Sequence, residues 1–168
     1  MTLHASILET KKLLQNLDGW LTKAEAHAAA KKCDPNVLLQ SRLAPDMFPL
    51  VRQIQGACDV AKLAAARVTG RDAPSHPDEE KTIDELRKRI ASVVAYLSEF
   101  TAKDFEGAGD RTVSLPRWEG KSMTATDYFL EHGQPNFFFH VTMAYALLRH
   151  NGVDVGKRDY LGQLTMRG

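Results

Sequence analysis

Apolar residues recur at steps of three and four through most of this chain, and that period limits its possible folds more than any composition figure. In the first helix, read from Leu3 to Ala30, Ile7, Leu14, Leu17, Leu21, Ala24 and Ala28 fall on one stripe, with Trp20 beside it. MFPLVRQIQGACDVAKLAAARVTG reads as a second helix stopping at Gly70, where a glycine can turn left-handed and end it. Ile83, Leu86, Ile90, Val93, Val94 and Leu97 form a third stripe running to about Thr101. It is opened by Thr82 and Glu85 at capping-box spacing. The stretch from Asn136 to Asn151, closed by Gly152, is apolar on nearly all sides and is expected to be the most buried element. Four such segments sharing one interior predict an all-α chain, a four-helix bundle. With 168 residues, a single domain over 1–168 can bury a core without disulfide or metal staples.

The connections carry their own signals. CDPNVLLQSRLAPD holds Pro35 and Pro45, with a short helical turn expected at Asn36 to Gln40. Asp46 is placed as the N-cap of the second helix, with Pro49 in its first turn, where a missing N–H is harmless. Gly56, Ala57, Ala61, Ala64 and Ala65 predict close helix contact there. RDAPSHPDEEK is a polar loop. From Lys103 to Thr126, RTVSLP and KSMTA flank a turn at Arg117 to Gly120 and predict a short β-hairpin between helices three and four, packed on the bundle. DYFLEHGQP is expected to be one or two turns broken by Gly133 and Pro135. In the tail, Tyr160 and Leu161 are the expected anchors.

Charge and cysteine usage exclude several functions. Lys and Arg number 22 against 21 Asp and Glu, so no basic excess points to a nucleic-acid partner. No stretch approaches the roughly 18 to 20 apolar residues of a membrane span. MTLHASILETKKLLQ lacks the apolar run of a signal peptide, so a cytoplasmic location is expected. Cys33 and Cys58 form no CxxC and are expected to stay reduced, Cys58 in the core. GxSxG, GxxxxGK[ST], GxGxxG and HExxH are absent, so no catalytic residue is assigned and enzymatic activity is left open.

What remains is a set of polar residues inside apolar helices. His140 lies in the last helix with Asn136 one turn earlier on the same face. Turn-spaced polar side chains facing a bundle interior are how helices present ligands. An asparagine amide is nonetheless a poor donor for zinc or nickel. The pair therefore predicts a hydrogen-bonded core group, with Gln53 or a backbone carbonyl as partner, or a small-ligand pocket. Asp46 and Gln53, seven apart on the second helix, share nearly one face. His132, before Gly133, is the remaining pocket candidate, placed to close over one end of the bundle. The aromatics Tyr128, Phe129, Phe137, Phe138, Phe139 and Tyr145 are expected to be mainly core.

Two stretches, LAPDMFPLVRQIQGACDVAK and NFFFHVTMAYALLRHNGVDVGKRDYLG, resemble a bacterial family of unknown function within the DinB/YfiT-like superfamily. The resemblance covers essentially the whole chain. It implies a bundle with up-down-down-up connections, a long link between helices two and three, and homodimers. Better-known members are metal-dependent enzymes, some of them thiol S-transferases, with one histidine on helix two and an HxxxH pair on helix four ahead of an arginine and a glycine. Registered on Arg149 and Gly152, that pattern puts the pair at Asn136 and His140 and the helix-two ligand near Gln53. Two of three imidazoles are thus replaced by amides, which predicts no bound metal and no cofactor. Three functions follow as expectations. The first is a dimeric bundle without a working metal site that binds a small organic ligand. The second is a divergent metal-dependent transferase or hydrolase using His140 with Asp46 and His132. The third is a structural or stress-related interaction protein acting through the hairpin.

Overall fold

Thr2 opens the first helix in the computed structural model, which describes residues 2–167; its hydroxyl accepts from the Ala5 amide at 3.2 Å. Helix α1 runs Leu3–Lys31 and ends where Lys32 turns left-handed at φ 56°. Asp34 caps the 3-10 turn Pro35–Gln40 by accepting from the Asn36 amide. Helix α2, Leu50–Thr69, stops at Gly70, whose φ of 76° any side chain would resist.

Asp46 does not cap α2. The N-cap is Pro49, with no side-chain bond, and Asp46 lies exposed in the preceding turn. The reason is local: a residue before proline is disfavoured in the helical region and Pro49 itself is extended at φ −70° and ψ 167°, so the helix starts after Pro49. The Leu50 amide instead donates to the Ser41 carbonyl at 3.0 Å.

Helix α3, Ile83–Ser98, carries the expected capping box: Thr82 accepts from Glu85 N–H, and the Glu85 carboxylate accepts from Thr82 N–H at 3.0 Å. It ends before Thr101, because Thr101 and Asp104 build a capped turn of their own over Ala102–Phe105. The hairpin is present. β1 (Thr112–Ser114) pairs antiparallel with β2 (Ser122–Thr124), Val113 opposite Met123. Buried Val113 and Leu115 fasten it to the bundle.

No break follows at Gly133 or Pro135. The chain runs continuously through α4 (Ala125–Asp127), a π-helical segment (Tyr128–Gly133) and α5 (Gln134–His150). Pro135 sits in the first turn of α5, where the lack of an N–H is tolerated. Gly133 brings the backbone against Ala64 of α2; an added Cβ would sit 3.4 Å from that methyl. Helix α6 (Lys157–Leu161) orders the tail. Tyr160 stacks on Trp20 at 5.6 Å as expected, whereas Leu161 is 41% exposed and anchors nothing.

Side-chain pairs fix the helix directions. Lys11 meets Ser98 while Asp18 and Glu25 meet Arg87, so α1 and α3 are antiparallel. Asp59 meets Arg89 and, just past α2, Arg71 meets Glu99, so α2 and α3 run parallel. Gln53 meets His140 and Arg67 meets Tyr128, so α2 and α5 are antiparallel. Up-down-down-up is the only order these pairs allow. The α2–α3 loop accordingly runs back along both helices, pinned by His76 and Glu80 and by Asp78 against Arg52 and Arg89.

The most buried helix is α2, not α5. Wedged between α3 and α5, α2 hides most of its residues, including Ala57, Cys58, Ala61 and Ala65 at 0% exposure. Phe137, Val141, Ala144, Leu147 and Leu148 of α5 are buried, but Phe139 faces outward at 51%. Tyr128, Phe129 and Phe137 are core, and Phe138 and Tyr145 pack partly buried against it. Both thiols are free; burial pushes that of Cys58 up to about 12, which makes it inert, while Cys33 is exposed.

Candidate functional site

Three of the five polar candidates lie on the facing helices α2 and α5, and two of them touch. Gln53 is 1% exposed near the start of α2, and its Nε2 donates to the Phe48 carbonyl at 3.3 Å. That bond orients the amide and turns Oε1 toward α5, where it lies 2.8 Å from His140 Nδ1. An amide oxygen only accepts, so Nδ1 carries the proton and Nε2 keeps its lone pair.

The ring fits because residue 56 is glycine. A Cβ there would sit 2.8 Å from His140 Cε1 and 2.9 Å from both ring nitrogens. Gly56 is thus a packing surface for the imidazole rather than a hinge. Burial first, then the nearby Arg52 charge, lowers the His140 pKa below its ordinary value, while Asp59 opposes weakly. The imidazole is therefore neutral at pH 7. Phe139 meets the ring edge-on at 5.5 Å, and Phe48, 54% exposed beneath Arg52, stands on the α2 side.

Asn136 lies one turn before His140 on the same helix, half-buried. Asp46 stays out in its exposed turn. His132 belongs to a different group: its Nε2 accepts from Arg117 on the hairpin turn, and its ring stacks on Tyr128 at 5.4 Å. No hydrogen bond or ion pair joins Asp46 or His132 to His140 among the described residues.

The donor set does not fit a three-ligand transition-metal site. Among the described residues no three His, Cys, Asp or Glu side chains gather where they could hold an ion. Zinc or iron at this position would have one imidazole, one amide already committed to that imidazole, and a neutral asparagine.

The sequence had not flagged a second polar cluster, along the α2–α3 loop. Arg89 is buried, its side chain 1% exposed, and its guanidinium meets Asp59 at 2.7 Å and Asp78 and Glu80 at 3.0 Å. Lys62, also buried, bonds Asp59 and His76 Nδ1, both at 2.8 Å, while His76 Nε2 lies 3.0 Å from Ser92 Oγ. The chain Ser92–His76 looks like half of a hydrolytic triad but is polarised the wrong way. Lys62 donates to Nδ1, so Nε2 carries the proton and cannot take one from Ser92. The network braces the loop. A buried arginine on α3 opposite acids nine and more residues away in sequence has no local signal, which is why it was missed.

Together the antiparallel α2–α5 pair, the parallel α2 and α3, and a single imidazole facing an amide define a DinB-type bundle with an imidazole–amide pair between α2 and α5. The chain belongs to the family described as a domain of unknown function (DUF1993), whose profile matches residues 3–161. It is similar to a crystal structure titled as a DinB family member protein from Shewanella denitrificans, at 51% identity and a TM-score of 0.93. The match covers 96% of this chain and 92% of that one. No curated protein matches.

Proposed function

We propose that this chain is a DinB-like bundle without a working metal site that binds a small organic molecule where α2 faces α5. The observation carrying this is the Gln53–His140 bond at 2.8 Å. It spends the amide oxygen that would otherwise be a ligand and leaves one neutral imidazole with a free Nε2 acceptor. A partner with an N–H or O–H donor on an aromatic or apolar body suits that acceptor and the exposed rings of Phe48 and Phe139. Cytoplasmic residence and a homodimer belong to the same proposal; no helix of the described residues is long and apolar enough to cross a membrane.

The test is a fragment screen followed by the His140 Cε1–H resonance. Fragments that pair a ring with a donor are expected to shift that resonance saturably in the native protein and not in Gln53→Ala. Fragments that bind without moving it, or move it equally in Gln53→Ala, would contradict the proposal.

A further inference from the structure

The second histidine, His132, sits in surroundings that nothing said so far explains. The π-helical segment brings His132 and Tyr128 into a stack, rings 5.4 Å apart and 19° from parallel. Trp118, at the end of the 3-10 turn Pro116–Trp118, closes the group edge-on, 6.0 Å from His132 and 6.2 Å from Tyr128. Two guanidiniums attend these rings. Arg117 donates to His132 Nε2, and Arg67, near the end of α2, lies 5.7 Å from the Tyr128 centroid and donates to its hydroxyl at 2.9 Å.

Neither cation is neutralised. Arg52, Arg71, Arg87, Arg89 and Arg149 reach a carboxylate; among the described residues Arg67 and Arg117, like Arg42, Arg111 and Arg158, reach none, and of these only Arg67 and Arg117 attend the same rings. The acids around them bond elsewhere or stay exposed: Glu119, two residues after Arg117, is exposed, Asp127 accepts from Thr124, and Glu131 lines the hairpin cleft with Thr112 and Ser122. Both arginines depress the His132 pKa, after burial, and no carboxylate offsets them. The hydrogen bonding is also incomplete. With Nε2 accepting from Arg117, the proton sits on Nδ1, which is buried with no partner. Tyr128 is 1% exposed, and its hydroxyl serves to hold Arg67 in place. Two guanidiniums without a carboxylate, beside the Trp118 ring, are an anion's partners, and π-turns of this kind are concentrated at functional sites.

We propose that Arg67, Arg117 and Trp118 form a binding site for the oxyanion of a small carboxylate or phosphate ester, independent of the His140 position. The guanidiniums hold the oxygens, and Trp118 supports the body of the molecule.

The chain has two tryptophans, Trp118 here and Trp20, whose indole donates to the Asp159 carbonyl. Their indole N–H signals in a proton–nitrogen correlation spectrum are therefore a probe and an internal reference. Inorganic phosphate and benzoate are titrated separately at constant ionic strength, against chloride. The expected result is a saturable shift of the Trp118 signal with at least one of the two, Trp20 unmoved, and the stronger binder identifying phosphate or carboxylate as the source. Affinity should fall roughly tenfold or more in Arg117→Ala and in Arg67→Gln. Arg117 is exposed, so its variant should melt like the native protein and isolate binding from folding. A linear response that chloride reproduces, or saturation that survives Arg117→Ala, would overturn the site.

Discussion

Gly56 and His140 are coupled by contact, and the sign of that coupling can be measured. Alanine in place of a mid-helix glycine ordinarily gains about 1 kcal/mol. Here the new methyl meets the imidazole at 2.8 Å and must displace it from Gln53. Overpacking of this kind costs about 1–3 kcal/mol. Gly56→Ala is therefore expected to destabilise the native protein and to stabilise the His140→Ala variant, read as paired denaturant unfolding curves. A gain in both backgrounds would show that the ring does not rest on that glycine. His140→Leu alone should cost about 1–3 kcal/mol, because it strands the buried Gln53 oxygen without a donor. An unchanged melting temperature would remove the hydrogen bond from the account.

Among the elements, the α2–α3 loop depends most on charge. Arg89 holds Asp59, Asp78 and Glu80 at once and is itself buried. Removing one side of a buried ion cluster leaves the other uncompensated, at about 3–5 kcal/mol. Arg89→Leu should lose an amount of that order, and amide exchange should rise first across residues 71–82. A loss confined to a few tenths would mean that the loop is held by its backbone instead. The helices themselves were legible because their cues are local: the Thr82–Glu85 capping box, the Gly70 stop and the apolar stripes are all written within a few residues of where they act. The failures were also local conflicts. Asp46 has a capping residue's chemistry, but the geometry before Pro49 postpones the helix past it. Gly133 and Pro135 look like breakers, yet Gly133 ends the π-turn and Pro135 falls in the first turn of α5, while His132 pairs with Arg117 of the hairpin turn. Of the candidate site, the sequence offered Gln53 as one partner for His140 beside a backbone carbonyl, and the structure pairs the two across the facing helices. The sequence could not place Arg117, which reaches His132 from a hairpin whose fold depends on the whole bundle.

For the whole molecule, pH acts in one direction. His76, His132 and His140 are all held below their ordinary pKa, first by burial and then by Lys62, Arg117 and Arg52 respectively. A histidine kept neutral in the fold contributes stability that is present above its unfolded value of about 6.5 and is lost as pH falls through that region. Asp78 and Glu80 also sit below their ordinary values. Burial pushes both up, but hydrogen bonds and charge, from Arg52 and Arg89 at Asp78 and from Arg89 and Gln55 at Glu80, outweigh it. Their contribution is present above about pH 4 and disappears below. Stability should therefore fall in two stages on acidification, and His140→Leu should shrink only the first, as followed by urea midpoints between pH 8 and 3. A stability that rises as pH drops from neutrality would contradict the assigned protonation states.

All of this depends on the imidazole of α5 being bonded to an amide rather than to an ion. The direct measurement is the metal content of protein expressed in metal-replete medium and purified without chelator or nickel resin, native and His140→Ala side by side. The account predicts zinc, iron, nickel and manganese far below one atom per protomer, equal in both preparations. A near-stoichiometric ion that the histidine substitution abolishes would contradict it.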